Sequence, residues 1–96
     1  MRSVRIIKTP PGFAPEEIRN QWVGLVIPLV SEDDLAQNPP SGMRIGNENT
    51  DGYIVSSEKA IEALRKAGRR SAVDFWADIP LGMYLQFKKD VCEVID

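Results

Sequence analysis

The spacing of apolar residues predicts one amphipathic helix in the second half of the chain. Between Ser57 and Ala67, apolar side chains recur three and four positions apart, which aligns them on one face of a helix. Ser57 is a residue type that caps helix N-termini, and Gly68 suits the left-handed conformation that often ends a helix. We therefore expect a helix over 57–67 whose apolar face packs on a sheet.

The other apolar segments predict short β-strands. Trp22–Val30 is apolar on both faces, as is typical of a central strand, and Gly24 within it indicates a bulge or a close backbone neighbour. Ala72–Ile79 alternates between apolar and polar residues, which indicates a half-buried strand in a hairpin with Met83–Phe87. Further elements are a helical turn at Pro15–Arg19 and strands at Val4–Lys8, Tyr53–Val55 and Val91–Ile95.

These elements predict an α+β fold. We expect a small, mostly antiparallel β-sheet or a partly open barrel of five or six strands, with one main α-helix packed on it. A parallel crossover from Tyr53–Val55 through the helix to Val73–Ile79 is the alternative local topology. The length of 96 residues predicts a single globular domain over 1–96.

Charge and cysteine content narrow the class of protein. Twelve basic and fourteen acidic residues give a net charge of −2, so neither nucleic acid nor an anionic membrane is an expected partner. Pro28 interrupts the longest apolar run, and the N-terminus has no apolar stretch typical of a signal peptide. The single cysteine, Cys92, excludes an intrachain disulfide. We therefore predict a cytoplasmic protein.

The chain contains no histidine, which changes the chemistry to be expected of it. Histidine is the usual general base at neutral pH and the commonest zinc ligand. Cys92 lies in an apolar segment, which indicates a buried hydrophobic residue rather than a nucleophile. We therefore assign no catalytic residue, no metal ligand and no cofactor, and an enzyme is not the favoured class.

One loop resembles a metal site in its spacing. Over residues 47–58, Asn47, Asn49 and Asp51 occupy the first three ligand positions of an EF-hand calcium loop, Gly52 its turn position and Glu58 its last position. The residue at the ninth position is Val55, which has no side-chain oxygen, and prolines replace the incoming helix. We expect a polar turn leading into a strand and a helix, with calcium binding as an alternative.

Two charged clusters define further alternatives. Arg65, Lys66, Arg69 and Arg70 could bind phosphate or an acidic partner, with Lys88 and Lys89 nearby, although cations also stabilise a helix C-terminus. On the predicted strand Ala72–Ile79, two acidic residues and Trp76 lie on one face. Tyr84 of the neighbouring strand lies beside them, and such a group would suit a small carboxylate-dependent enzyme or enzyme subunit. The simpler interpretation is the outer face of an edge strand. The acidic residues of this face are Asp74 and Asp78.

The favoured function is a small binding or interaction module without enzymatic activity. The segment 38–52, rich in proline, glycine and asparagine, is expected to form a recognition loop that binds a protein partner or a second copy of the chain. Strand addition at a sheet edge is a further route, and an exposed tryptophan could anchor a partner. The residues predicted to contact the partner are Met43, Arg44, Asn47, Asn49 and Asp51.

Overall fold

The fold is a small α+β arrangement with two antiparallel sheets. A computed structural model describes residues 2–12, 14–31, 52–80 and 82–95. The first sheet has the order β2-β1-β5, and β3 pairs with β4 in the second. The strands are β1 (Ser3–Ile6), β2 (Val26–Pro28), β3 (Gly52–Ser56), β4 (Tyr84–Lys88) and β5 (Cys92–Ile95).

Within the described ranges, three α-helices and two 3₁₀ turns accompany these strands. The helices are α1 (Glu16–Arg19), α2 (Ser57–Lys66) and α3 (Arg70–Phe75). The 3₁₀ turns are Asn20–Trp22 and Lys89–Val91. The α+β class and the antiparallel pairing are thus confirmed, whereas the single sheet or partly open barrel with one main helix is not.

The predicted main helix is confirmed with a different cap. The side chain of Ser56 caps α2, since its Oγ accepts a hydrogen bond from the N–H of Lys59 at 3.1 Å. The neighbouring Ser57 lies in the first turn and is completely buried. Gly68 has φ +73°, the left-handed conformation expected of it after the helix.

The segment Trp22–Val30 does not form a central strand. Its first residue, Trp22, ends a 3₁₀ turn, only Val26–Pro28 forms a strand, and this strand is an edge of its sheet in the described residues. Gly24 has φ +91° in the turn, and nothing lies within 4 Å of the Cβ it lacks. A glycine at this position therefore permits a left-handed turn and is not required by a close backbone neighbour.

The prediction of a strand over Ala72–Ile79 is wrong, because residues 70–75 form α3. Ala72 is buried and the side chains of Val73, Trp76 and Ile79 are half-buried, so their burial follows a helical period. The strand Tyr84–Lys88 is confirmed, but its partner is β3. The parallel crossover is therefore wrong as well.

One cluster of buried apolar side chains joins both sheets and the helices. The segment after β2 also bonds to the second sheet, since the N–H of Val30 donates to the carbonyl of Ile54 in β3 at 3.0 Å. Among the described residues, no helix is both long and apolar enough to cross a membrane. The side chains with no exposed surface in this cluster include those of Val4, Ile6, Ile27, Val55 and Leu64.

Candidate functional site

A largely apolar cavity of about 380 Å³ lies beside β4, and we call it the aromatic cleft. This volume is within the range of cavities that accept small molecules or peptide side chains. Its walls come from the β1–α1 connection, the first 3₁₀ turn, the end of α3 and strand β4. The lining residues are Pro10, Pro11, Gly12, Ala14, Arg19, Trp22, Trp76, Met83, Tyr84, Leu85, Gln86 and Phe87.

The cleft runs along the outer edge of β4. Five consecutive residues, 83–87, line it, and no residue of β3 does. Because successive side chains of a strand point to opposite faces, a cavity lined by all of them follows the edge rather than one face. Within the described residues no strand pairs with this edge.

The hydrogen-bond pattern shows which backbone groups point to this edge. The N–H of Ser57 donates to the carbonyl of Met83 at 2.8 Å, so the backbone of Met83 faces β3. Bonded and non-bonded pairs alternate along an antiparallel ladder, so the backbone groups of Gln86 and Lys88 point away from β3. Ile54, the register partner of Gln86, likewise turns its carbonyl to the far side of β3.

Aromatic side chains form the floor and one wall of the cleft. Trp22 is 3% exposed and contacts Phe87 edge to face, with ring centroids 5.3 Å apart. Trp76 is half-buried and has the same kind of contact with Phe75 at 4.9 Å. Trp22 therefore belongs to the core, whereas Trp76 keeps surface that a ligand could cover.

Polar side chains of α1 and the following turn hold the walls in place. Nε of Arg19 donates to the carbonyl of Ala14 at 2.8 Å, and its Nη1 donates to that of Pro10 at 3.0 Å. Nε2 of Gln21 donates to Oγ of Ser71 at 2.8 Å, and its Oε1 accepts from the N–H of Ala72 at 3.2 Å. Nothing in the local pattern at these positions indicated these contacts, since each acceptor or donor lies in another segment.

The start of β4 is fixed by Ser57. Its Oγ donates to the carbonyl of Pro80 at 2.7 Å, while its N–H bonds to Met83. A buried hydroxyl needs such a partner, because an unsatisfied one is costly. The buried end of α2 is thereby tied to the segment that enters the cleft.

A second concave surface lies where α2 meets α3, and we call it the arginine cavity. It has a volume of about 490 Å³. The predicted basic cluster is brought together here except for Lys66, and Lys88 and Lys89 do not line it. The lining residues are Arg65, Gly68, Arg69, Arg70, Val73 and Asp74.

The predicted acidic constellation is not assembled. Asp74 and Asp78 are both exposed; Asp74 lines the arginine cavity, and Asp78 lines neither this cavity nor the aromatic cleft. Trp76 and Tyr84 instead line the aromatic cleft. The four side chains therefore share no single face, because residues 70–75 are helical.

The calcium loop is described only in part. Asn47, Asn49 and Asp51, like the other predicted partner contacts at 43 and 44, lie outside the described residues. Gly52 is in β3 without a positive φ, and an added Cβ would come within 2.6 Å of Gln86 Cγ. This glycine permits close strand pairing. Glu58 is exposed, and no group of three or more possible metal ligands occurs in the described ranges.

Cys92 is buried in β5 beside the central strand. Burial raises the pKa of its thiol to about 11, and the charge of Asp90 adds to this increase. The thiol is therefore neutral near pH 7, and a thiol in that form is a poor nucleophile.

Comparisons with protein-family models, curated proteins and solved structures give no match to this chain.

Proposed function

We propose that this chain is a non-enzymatic binding domain that takes up an extended, apolar peptide segment of a partner protein along the outer edge of β4. The observation that carries the proposal is that the edge of β4 with which no described strand pairs coincides with the aromatic cleft. Strand addition uses the backbone for affinity and side-chain pockets for specificity.

Each part of the cleft has a role in this proposal. The outward N–H and C=O groups of Gln86 and Lys88 would pair with the backbone of the peptide. Every second side chain of the peptide would then enter the cleft and cover Trp76. Because Arg19 and Gln21 already hold the walls, the site is preorganised and loses little entropy on binding.

Selection from a phage-displayed library of short random peptides tests this proposal. Selected peptides should carry alternating apolar residues and should lose affinity when Trp76 is replaced by alanine. N-methylation of the peptide should abolish binding only at every second position, because only alternate amides face β4. Val26→Ala is the control, since Val26 is an exposed apolar residue on a different strand edge.

Two results would contradict peptide uptake at this site. One is binding that tolerates N-methylation at all positions, which would indicate a ligand held by side chains alone. The other is an equal loss of affinity in Val26→Ala, which would indicate non-specific apolar adhesion. If the chain sizes as a dimer that Trp76→Ala dissociates, the occupant is a second copy of the chain.

The remaining predictions belong to the same proposal. We also propose that the domain is cytoplasmic and binds neither nucleic acid nor membranes. Its single buried cysteine and its net charge of −2 support this proposal. Calcium binding by the 47–58 loop stays a prediction, which calorimetric titration with calcium would test.

A further inference from the structure

The six arginines that the structure describes fall into two groups. Arg5 pairs with Glu93 at 3.0 Å, Arg19 donates to two carbonyls, and Arg2 also has an interaction partner. The other three have no side-chain hydrogen bond or ion pair with any described residue. These three are Arg65, Arg69 and Arg70.

The turn between α2 and α3 gathers these three side chains into the arginine cavity. Gly68 adopts φ +73°, and the N–H of Arg69 then donates back to the carbonyl of Leu64 at 3.0 Å. The chain reverses over these residues, so that side chains from the end of α2 and the start of α3 line one cavity.

Helix stabilisation accounts for only part of this cluster. Arg65 and Lys66 lie in the last turn of α2, where cations interact favourably with the helix dipole. Lys66 is also engaged by Glu62, with Nζ and Oε1 2.9 Å apart. Arg69 and Arg70 follow the helix, and neither has a protein acceptor in the part of the chain that the structure describes.

We propose that the arginine cavity binds the phosphate group of a small phosphate monoester. Three arginines and one carboxylate, that of Asp74, line the cavity, so it has an excess of positive charge. The fork of N–H donors on arginine matches the oxygens of a phosphate and can bind two of them at once. Asp74 can accept a hydrogen bond from a hydroxyl of the organic part of the ester.

The lining of the cavity favours a small ester over nucleic acid. None of its six lining residues is aromatic, so the cavity offers no surface on which a base could stack. The chain has a net charge of −2, and Asp74 would repel a neighbouring phosphate of a polyanion. The cavity is distinct from the aromatic cleft, so this proposal goes beyond peptide uptake. Each of the two proposals can be contradicted without affecting the other.

Amide chemical shifts of the full chain, followed during titration with inorganic phosphate and then phenyl phosphate at constant ionic strength, test this site. We expect saturable shifts confined to residues 64–74. Arg69→Gln and Arg70→Gln should each weaken binding by about tenfold or more, the effect of losing a charge-assisted hydrogen bond. Asp74→Asn should strengthen the binding of inorganic phosphate, because it removes the repelling charge.

Lys59→Gln is the matched control, because it removes one positive charge from the exposed opposite end of α2. It should change affinity by less than about twofold, since salt screens a charge at that distance. Chemical shifts that do not saturate, or an equal loss of affinity in Lys59→Gln, would indicate non-specific electrostatic attraction and would overturn the proposal. It would also be overturned if a single-stranded oligonucleotide bound more tightly than phenyl phosphate with a steep salt dependence.

Discussion

The aromatic cleft and the arginine cavity use the same residue type in opposite ways. Arg19, at the cleft, directs its donors to two backbone carbonyls of its own wall. The three arginines of the cavity have no such acceptors among the described residues. The difference shows that the acceptors brought near an arginine decide whether it supports the fold or remains available to a ligand.

The largest expected effect tests the floor of the cleft. Trp22→Ala should lower the free energy of unfolding by about 3–5 kcal/mol, because the ring is buried against Phe87. Trp76→Ala should lower it by clearly less, since that side chain is only half-buried. Urea denaturation of both variants measures the two values. Equal losses would place Trp76 in the core and remove it from the recognition surface.

The comparison of the arginines predicts the next largest effect. Arg19→Gln should lower the free energy of unfolding by about 2 kcal/mol, because two carbonyls lose a charged donor. Arg70→Gln should change it by less than about 0.5 kcal/mol, because this exposed side chain supports nothing in the described structure. Both values come from the same denaturation experiment. A comparable loss in Arg70→Gln would assign the arginine cavity a structural role.

Near neutral pH the titration of Cys92 has the smallest effect, because it changes stability only at alkaline pH, and this residue lies outside both surfaces. Its pKa of about 11 in the folded chain exceeds the ordinary value of 9.0, so the unfolded chain loses the proton first. Stability should therefore be unaffected by this group below pH 9 and should fall as the pH rises from about 9 to 11. The free energy of unfolding, measured across this pH range, should show this decrease in the natural chain and not in Cys92→Ala. Rapid alkylation of the folded chain near neutral pH would contradict the assignment.

Local patterns were sufficient for some elements of the fold. The helix α2 and the strands β3, β4 and β5 follow from periodicity and from the turn preferences of residues such as Gly68. Residues 72–79 satisfied two periods at once, since apolar residues recur both two and three positions apart. Gln21 favours the helix by accepting from the N–H of Ala72, and a contact 51 positions away leaves no local signal.

The candidate sites were predictable to different degrees. The residues that line the arginine cavity lie within ten positions of one another, so the cluster is visible in the sequence. The sequence does not show that its arginine side chains lack acceptors among the described residues. The aromatic cleft joins four separated segments, and no periodicity can indicate that Pro10 lies near Trp76 or Gln86. The unpaired edge of β4 within the described residues is not predictable from the pattern either, because the pattern predicts residues 72–79 as the strand partner of β4.

The pairing of β1 with β5 has a consequence for the order of folding. Arg5 and Glu93 are 88 positions apart, yet they form an ion pair across these strands. Contacts of such large sequence separation form slowly, and during synthesis the edge of β1 that pairs with β5 must wait for residues 92–95. Until then its edge and the apolar side chains of Val4 and Ile6 are exposed to other molecules. A truncated translation product or a proteolytic fragment that ends before residue 92 would therefore be prone to aggregation and degradation rather than folding as a shorter domain.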